Sequence, residues 1–332
     1  MEHRAPGHPE RPERMAAALA GLRSDESDYS WPEVHAAELS DVERVHAPAE
    51  VKLVTELARS GGGWVDPDTF VVPASYDAAL LAAGAAMQAT ADVLAGRQDK
   101  AFVIVRPPGH HATRTRAMGF CLFNNVAIAA QWALDEGGAQ SVAVLDVDVH
   151  HGNGTQDIFY DRPEVLYYST HQYPFYPGTG RVEEVGRNDG AGTTVNVPLG
   201  AGSGDSVFLD ATHRVLAPAV RRFRPDVILV SLGFDAHWAD PLAQMELTTD
   251  GYRKILADVA ALADETCGGK LVFLLEGGYD LNVIEAGARM AGSVLTGRNP
   301  PADSIGAATA GREPPASLAA IQAAVEVHQL QA

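Results

Sequence analysis

The 332-residue sequence predicts an α/β protein: an open, mostly parallel sheet with helices on both faces. Short apolar, β-branched runs alternate with longer helical patterns, the order that strand–helix–strand crossovers produce. Several runs are apolar nearly throughout, as strands covered on both faces must be. Polar, ligand-type residues gather just after these runs, at the strand ends where open sheets of this kind bind ligands.

In chain order, a helical stretch at about 76–95 precedes the first strand candidate, 101–105 (AFVIV). A second helical stretch, 124–136, leads to the run 141–147 (SVAVLDV). The runs 165–170 (VLYYST) and 193–197 (TTVNV) follow. Helical patterns at 206–223 and 248–266 then separate 226–232 (DVILVSL) from its predecessor and from 270–275 (KLVFLL). Helices at 280–296 and about 315–331 close the chain. No repeat, low-complexity block or long linker divides it, so residues 1–332 read as one domain.

Hydrophobic residues make up 46% and charged residues 20%, enough to bury a sizeable core and far from a disordered tail. Lys and Arg number 25 against 43 Asp and Glu, a formal charge of -18. That field repels phosphate backbones and anionic lipid, so neither direct nucleic-acid nor membrane binding is expected. It favours cationic substrates, although an acidic surface is also the ordinary route to solubility. The two cysteines, Cys121 and Cys267, form no CxxC pair, so neither a disulfide framework nor a thiolate zinc site is implied. No apolar run approaches the roughly 18 residues of a membrane span and no apolar signal segment opens the chain, which leads us to expect a cytoplasmic protein. A homo-oligomer is left open.

The chemistry concentrates in DVDVHHGNG, residues 146–154. Side chains of extended backbone alternate, so Asp146, Asp148 and His150 point one way and His151 the other. Two carboxylates and an imidazole converging on one point need a cation or hydrogen-bond donors. The plainer alternative is an Asp capping a turn and a packed His. Asp235, after the run 226–232, adds a third anionic candidate. One His and two Asp with an open fourth position suit a catalytic zinc, and the oxygen-rich set also suits ferrous iron or cobalt. His110 and His111, after 101–105, supply acid–base groups, with Asp146 and Asn153 as partners that set their tautomers. Tyr279, behind Gly277 and Gly278, offers a phenol to a developing oxyanion, though GGY alone equally marks a turn. His151, His237, Trp238 and Cys121 read as structural or packing residues.

The ordered segments HPERPER (8–14), RPPGHHA (106–112), GFCLFNN (119–125), DVDVHHGNG (146–154), STHQYPFYPGTG (169–180), GFDAHWADPL (233–242) and LEGGYD (275–280) resemble the histone deacetylase and acetylpolyamine amidohydrolase family. The Glu of LEGGY and the Asn of HHGNG are similar to its class II branch and bacterial relatives. The motif-bearing core covers about 8–290, and the resemblance implies the arginase/deacetylase fold. It also implies one catalytic zinc on Asp148, His150 and Asp235, His111 as general base and acid, and His110 as its electrostatic partner. Asp146 would back His110, Asn153 would back His111, and Tyr279 would stabilise the oxyanion. Phe120 and Tyr176 would wall an acyl-lysine tunnel, with Gly119, Leu242, Gly277 and Gly278 around it. A structural potassium would use Asp146, Asp148, His150, Ser169 and Thr170, and a second would involve Phe159 and Val165. Arg14 matches an arginine deep in the family's interior, with a surface helix-cap contact as the alternative.

The substrate implied is an acylated lysine side chain or a small acylated amine, cleaved to amine and carboxylate. Three rivals are weighed. A two-metal ureohydrolase of the arginase type shares the fold but needs carboxylates where this chain has Gly152 and Gly233. A non-enzymatic relative should have lost part of the constellation, which is all present. Polyamine-selective relatives place a Glu at the position held here by Leu242, so that selectivity feature is missing. Relatives begin with a strand ahead of HPERPER, for which residues 1–7 leave little room. Rim loops at about 15–35 and 60–75 are expected to choose the substrate, with Asp66 and Asp68 as candidates to hold its backbone.

Overall fold

The computed structural model describes residues 2–23, 29–299, 302–308 and 313–330. The chain opens with α1 (Glu13–Arg23), α2 (Leu39–Val42) and α3 (Pro48–Arg59), then a small antiparallel ribbon, β1 (Gly63–Trp64) with β2 (Phe70–Val71). The alternating part follows as α4 (Ser75–Leu94), β3 (Lys100–Val103), α5 (Asn125–Asp135), β4 (Val142–Asp146), α6 (Asn153–Phe159), β5 (Val165–Gln172) and β6 (Thr194–Leu199). It continues as α7 (Asp205–Ala211), α8 (Ala217–Phe223), β7 (Val227–Leu232), α9 (Thr249–Cys267), β8 (Leu271–Leu275), α10 (Leu281–Thr296) and α11 (Pro315–Val327).

Each of the six apolar runs is a strand of one sheet, ordered β3–β8–β7–β4–β5–β6 with every pairing parallel. Alternate residues of a strand feed opposite cores. Ala143 and Leu145 join Tyr168, Val230, Phe273 and the helix residues Phe208, Tyr252 and Ile284 on one face. Val142 and Val144 join Tyr167, Leu229, Val272, Val93 and Ile128 on the other. Both faces are therefore dry, which is why these runs carry almost no polar residue until their ends. At that end the register sets Asp146 between Ser169 of β5 and Ser231 of β7.

Local chemistry fixes the helix limits. Asn124, Thr248 and Asp280 cap α5, α9 and α10, each accepting from backbone N–H groups of the first turn. Gly268 and Gly297 end α9 and α10 in the left-handed conformation at φ 64° and 66°. The predicted helix 206–223 is interrupted: a π-turn at Thr212–Leu216 separates α7 from α8, adding a residue to the turn that the apolar spacing did not announce.

Two expectations about the rim change. Residues 15–23 of the expected 15–35 rim loop belong to α1, which packs along α10, and residues 24–28 lie outside those described. The expected 60–75 loop contains the β1–β2 ribbon. No strand is found among residues 2–12, where His3 stacks on Phe70 at 4.3 Å and its Nδ1 meets Ser75 Oγ at 2.7 Å. The C-terminal helix ends at Val327, short of the expected 331, which is itself outside the described residues.

The α1–α10 crossing depends on Gly21, where a Cβ would lie 2.2 Å from the Glu285 carbonyl oxygen. Alanine ordinarily helps a helix by up to about 1 kcal/mol over glycine, but overpacking against fixed backbone costs about 1–3 kcal/mol. Gly21→Ala should therefore lower the melting temperature; an unchanged or raised value would mean the helices sit further apart.

Candidate active site

Two loops leaving the sheet converge on one point. Asp148 and His150 follow β4 and Asp235 follows β7, and one ligating atom from each lies within 4.8 Å of the others. Both carboxylates are fully buried. Asp148 is held by the N–H groups of Gly277 (2.8 Å) and His150 (2.9 Å), and Asp235 Oδ1 by that of Val149 (3.0 Å). Asp235 Oδ2 is buried without a hydrogen bond; His150 Nδ1 is 3.2 Å away in distance but not aligned for one. Burial opposes charge on His150, yet its contacts to Asp148 and Asp235 raise it to about 10. A positive charge is thus called for at this point, and the donor set, one imidazole and two carboxylates with an unsatisfied oxygen, fits one divalent cation.

The glycines around this point are there because nothing larger fits. A Cβ at Gly233 would lie 1.9 Å from Asp148 Oδ2, one at Gly277 2.1 Å from Asp235 Oδ2, and one at Gly152 2.0 Å from Asp146 Oδ2. Gly152 and Gly233 stand where a two-metal site would need carboxylates. Here the positions have no side chain and no room for one.

The tandem histidines approach from the loop after β3. Glu276 reaches across to accept the Gly109 N–H at 2.7 Å and the His110 N–H at 3.3 Å, fixing that loop. His110 Nδ1 lies 3.1 Å from Asp146 Oδ2, and His111 Nδ1 lies 2.8 Å from Asn153 Oδ1. Burial works against a charged His110, but Asp146 and Asp148 outweigh it and raise its pKa to about 10. His111 falls well below the ordinary histidine value, through burial first and then the charges of His110 and His150. These opposite shifts favour the proton on His110 and a neutral ring at His111. Because the Asn153 oxygen only accepts, His111 carries its proton on Nδ1 and leaves Nε2 with a free lone pair.

Aromatic side chains surround the point. Tyr176 meets the His111 ring edge-on at 5.2 Å, and Phe120 meets Tyr279 in the same way at 5.8 Å. Phe175, not singled out by the sequence, stacks on His150 at 5.4 Å. Phe120 has a left-handed φ of 68°, an uncommon conformation for a non-glycine residue, and its N–H donates to Thr69 Oγ1 at 3.0 Å. The preceding Gly119 admits no side chain, since a Cβ would lie 2.4 Å from the His111 ring. Burial lifts the Tyr279 phenol well above its usual value, opposed by the nearby Arg14, so it keeps its proton at neutral pH.

Arg14 is buried rather than at the surface. Its Nε donates to the Gly278 carbonyl at 2.6 Å, it also donates to the Glu276 carbonyl, and its guanidinium carbon sits 5.0 Å from the Tyr279 ring centre. Glu10 ties Arg14 (3.1 Å) to Arg106 and to His3, a buried network that the HPERPER segment hinted at only through Arg14. His151 bonds Thr179 and Gln156 rather than joining the cluster, from a stretch that is bent rather than extended. Leu242 lies in the loop after β7, its N–H donating to Asp240. Asp66 accepts the N–H groups of Asp68 and Thr69, while Asp68 accepts the Thr69 hydroxyl, so the pair steadies the residue that holds Phe120.

The histone deacetylase domain profile matches residues 8–295. The chain belongs to the histone deacetylase family. A probable deacetylase of Archaeoglobus fulgidus is 43% identical over 281 residues, 83% of this chain and 78% of that protein. A histone deacetylase-like amidohydrolase of Pseudomonas aeruginosa is 42% identical over 278 residues, covering 83% and 73% of the two chains. The crystal structure of the HDA15 HD domain superposes with a TM-score of 0.89 at 37% identity, covering 99% of this chain and 90% of that one. The expected arginase/deacetylase fold is thereby established, as is a hydrolase of the deacetylase and amidohydrolase kind.

Two outcomes test this geometry in the histone deacetylase family member described here. Gly233→Ala should weaken binding of a divalent cation about tenfold or more in a titration of metal-free protein while the fold persists; unaltered affinity would contradict the crowding at Asp148. Glu10 is lowered from 4.5 to about 2: burial pushes it up, and His3, Arg14 and Arg106 together outweigh burial. A depressed acid stabilises the fold above its unfolded pKa and loses that contribution as pH falls. The stability deficit of Glu10→Gln, on the order of 3–5 kcal/mol at neutral pH, should therefore shrink between pH 4.5 and about 2. A deficit that stays constant over that range would argue against the network.

Proposed function

We propose that this chain hydrolyses N-acyl amides of the acetyl-lysine type to a free amine and a carboxylate, with one zinc ion held by Asp148, His150 and Asp235. The single observation that supports this best is a neutral His111, its Nε2 lone pair free, beside a buried His–Asp–Asp cluster that calls for a cation. A bound zinc would polarise the substrate carbonyl and acidify a water.

The chain's own residues do the rest. His111 accepts the proton of the attacking water at Nε2 and delivers it to the leaving amine. Asn153 keeps that tautomer, and His110, held cationic by Asp146, suppresses protonation of His111 before water attacks. Tyr279 donates its phenol proton in a hydrogen bond to the oxyanion. Phe120 and Tyr176, with Gly119, Leu242, Gly277 and Gly278, form the channel for an extended, apolar acyl-amine stem, and the acidic surface suits the cationic chains that carry such stems. Structural potassium would lie at the ends of β4 and β5, using Asp146, Asp148, His150, Ser169 and Thr170. The pairing of Asp146 with Ser169 supports that placement. A second would lie near Phe159 and Val165, where α6 gives way to β5.

Turnover of acetyl-lysine and trifluoroacetyl-lysine peptides should vanish on chelation and return with zinc. His111→Ala and Tyr279→Phe should each lower kcat by about 10²–10³ with zinc still bound. Turnover that survives complete metal removal would sink the proposal, and undiminished turnover in Tyr279→Phe would remove the phenol from the chemistry. Hydrolysis of acetylated polyamine in preference to peptide would move the substrate to the small amines.

A further inference from the structure

One buried carboxylate near the site has no part in the chemistry above. Asp240, in the loop after β7, is 5% exposed. Its Oδ2 accepts the Tyr279 N–H at 2.7 Å and the Asp280 N–H at 3.3 Å, and its Oδ1 accepts the Leu242 N–H at 3.0 Å. No Lys or Arg pairs with it among the described ion pairs; three backbone N–H groups take the place of a cation. Asp240 therefore joins two segments far apart in sequence: the rim turn that carries Leu242, and the turn between Gly278 and α10 that carries Tyr279.

We infer that Asp240 is a positioning residue for the Tyr279 phenol, coupling the rim turn at Leu242 to the group that meets the substrate oxyanion. The inference rests on the proposed role of Tyr279. The physical reason is that the Tyr279 backbone is anchored by few other groups on its N–H side. Gly278, at φ 108°, lends the preceding residue no side chain to hold it, and α10 begins only at Leu281, after the Asp280 cap. Burial, and then Asp235, push Asp240 up to about 7, and its three N–H donors hold it down; hydrogen bonds accepted by the ionised carboxylate are the strong kind and fix direction. The other Tyr279 constraints are the Arg14 guanidinium and the Phe120 ring, which bear on the ring rather than the backbone. Asn cannot replace Asp240, because it offers one oxygen: its NH2 must face an N–H on the Leu242 side or on the Tyr279 side, donor against donor.

The test places Asp240→Asn in the wild type and in Tyr279→Phe, with kcat, KM and zinc per chain measured on trifluoroacetyl-lysine peptide. The Tyr279 ring signal is followed by NMR in protein labelled at tyrosine, assigned by its loss in Tyr279→Phe. In the wild type, kcat should fall about tenfold or more with KM within about twofold and zinc unchanged, since an interaction expressed only in the transition state is being lost. In Tyr279→Phe the same change should cost less than about twofold, because the phenol it positions is gone. The Tyr279 ring signal should shift or broaden. Asp240→Glu, which keeps the charge but displaces the oxygens, serves as the second variant and should show the same split if the Asn variant does not fold. An equal loss in both backgrounds, unchanged kcat, or lost zinc would overturn the inference and leave Asp240 a general structural residue. Absence of turnover in the wild type would count against the proposed reaction instead; the NMR signal then decides, and an unshifted Tyr279 ring in the Asp240 variants overturns the inference.

Discussion

Three carboxylates buried at the carboxyl end of two central strands are the constraint from which the rest of this structure follows. Asp146, Asp148 and Asp235 have no solvent exposure, and burying even one isolated carboxylate without compensation is prohibitive. The surroundings answer that cost group by group. Backbone N–H groups of Asp148, Val149, His150 and Gly277 point inward, His110 supplies a positive charge to Asp146, and His150 faces the other two acids. Glycines at 152, 233 and 277 let the backbone come close, with no space left for a side chain, and Gly277 donates to Asp148. One oxygen, Asp235 Oδ2, still has no hydrogen bond. The remaining demand is for a cation.

The same constraint orders the groups one layer out. Burial, and then the charges of His110 and His150, lower the affinity of His111 for a proton, while Asp146 and Asp148 raise that of His110, so two adjacent rings are driven in opposite directions although their sequence context is nearly the same. Glu276, Asp240 and Glu10 act behind them as anchors. Glu276 holds the histidine loop, Asp240 holds the Tyr279 turn, and Glu10 gathers Arg14 and Arg106 beneath both. The N-terminal segment thus reaches the centre of the molecule, with Arg14 bonded to carbonyls of residues 276 and 278 at the far end of the chain.

The sheet was legible because its strands are covered on both sides, so Val142–Leu145 and Val227–Val230 are apolar at every position and stop being so only where the site begins. The candidate cluster was legible because ligand-type residues crowd just past the end of an apolar run, although the chain bends at 148–150 and Asp146 turns to His110 rather than joining Asp148 and His150. Other parts were not. α1 is Ala-rich with weakly patterned apolar residues, and what buries it is α10, some 260 residues away, a contact no local pattern encodes. The ribbon strands β1 and β2 are two residues each, too short for any periodicity. Phe175 sits in a loop, and only the folded position of His150 gives it a partner. Asp240, within GFDAHWADPL, is indistinguishable in the sequence from a turn-capping Asp; only the fold sets the Tyr279 N–H against it.

The most direct test of the central claim is zinc-edge X-ray absorption on protein loaded with one equivalent of zinc, compared with His150→Ala. The account predicts a site of one imidazole nitrogen and carboxylate oxygens, no sulfur and no second metal within 4 Å, with the imidazole signal lost in the variant. Sulfur in the shell, a metal–metal vector, or an unchanged spectrum in His150→Ala would contradict the buried His–Asp–Asp cluster as the metal centre.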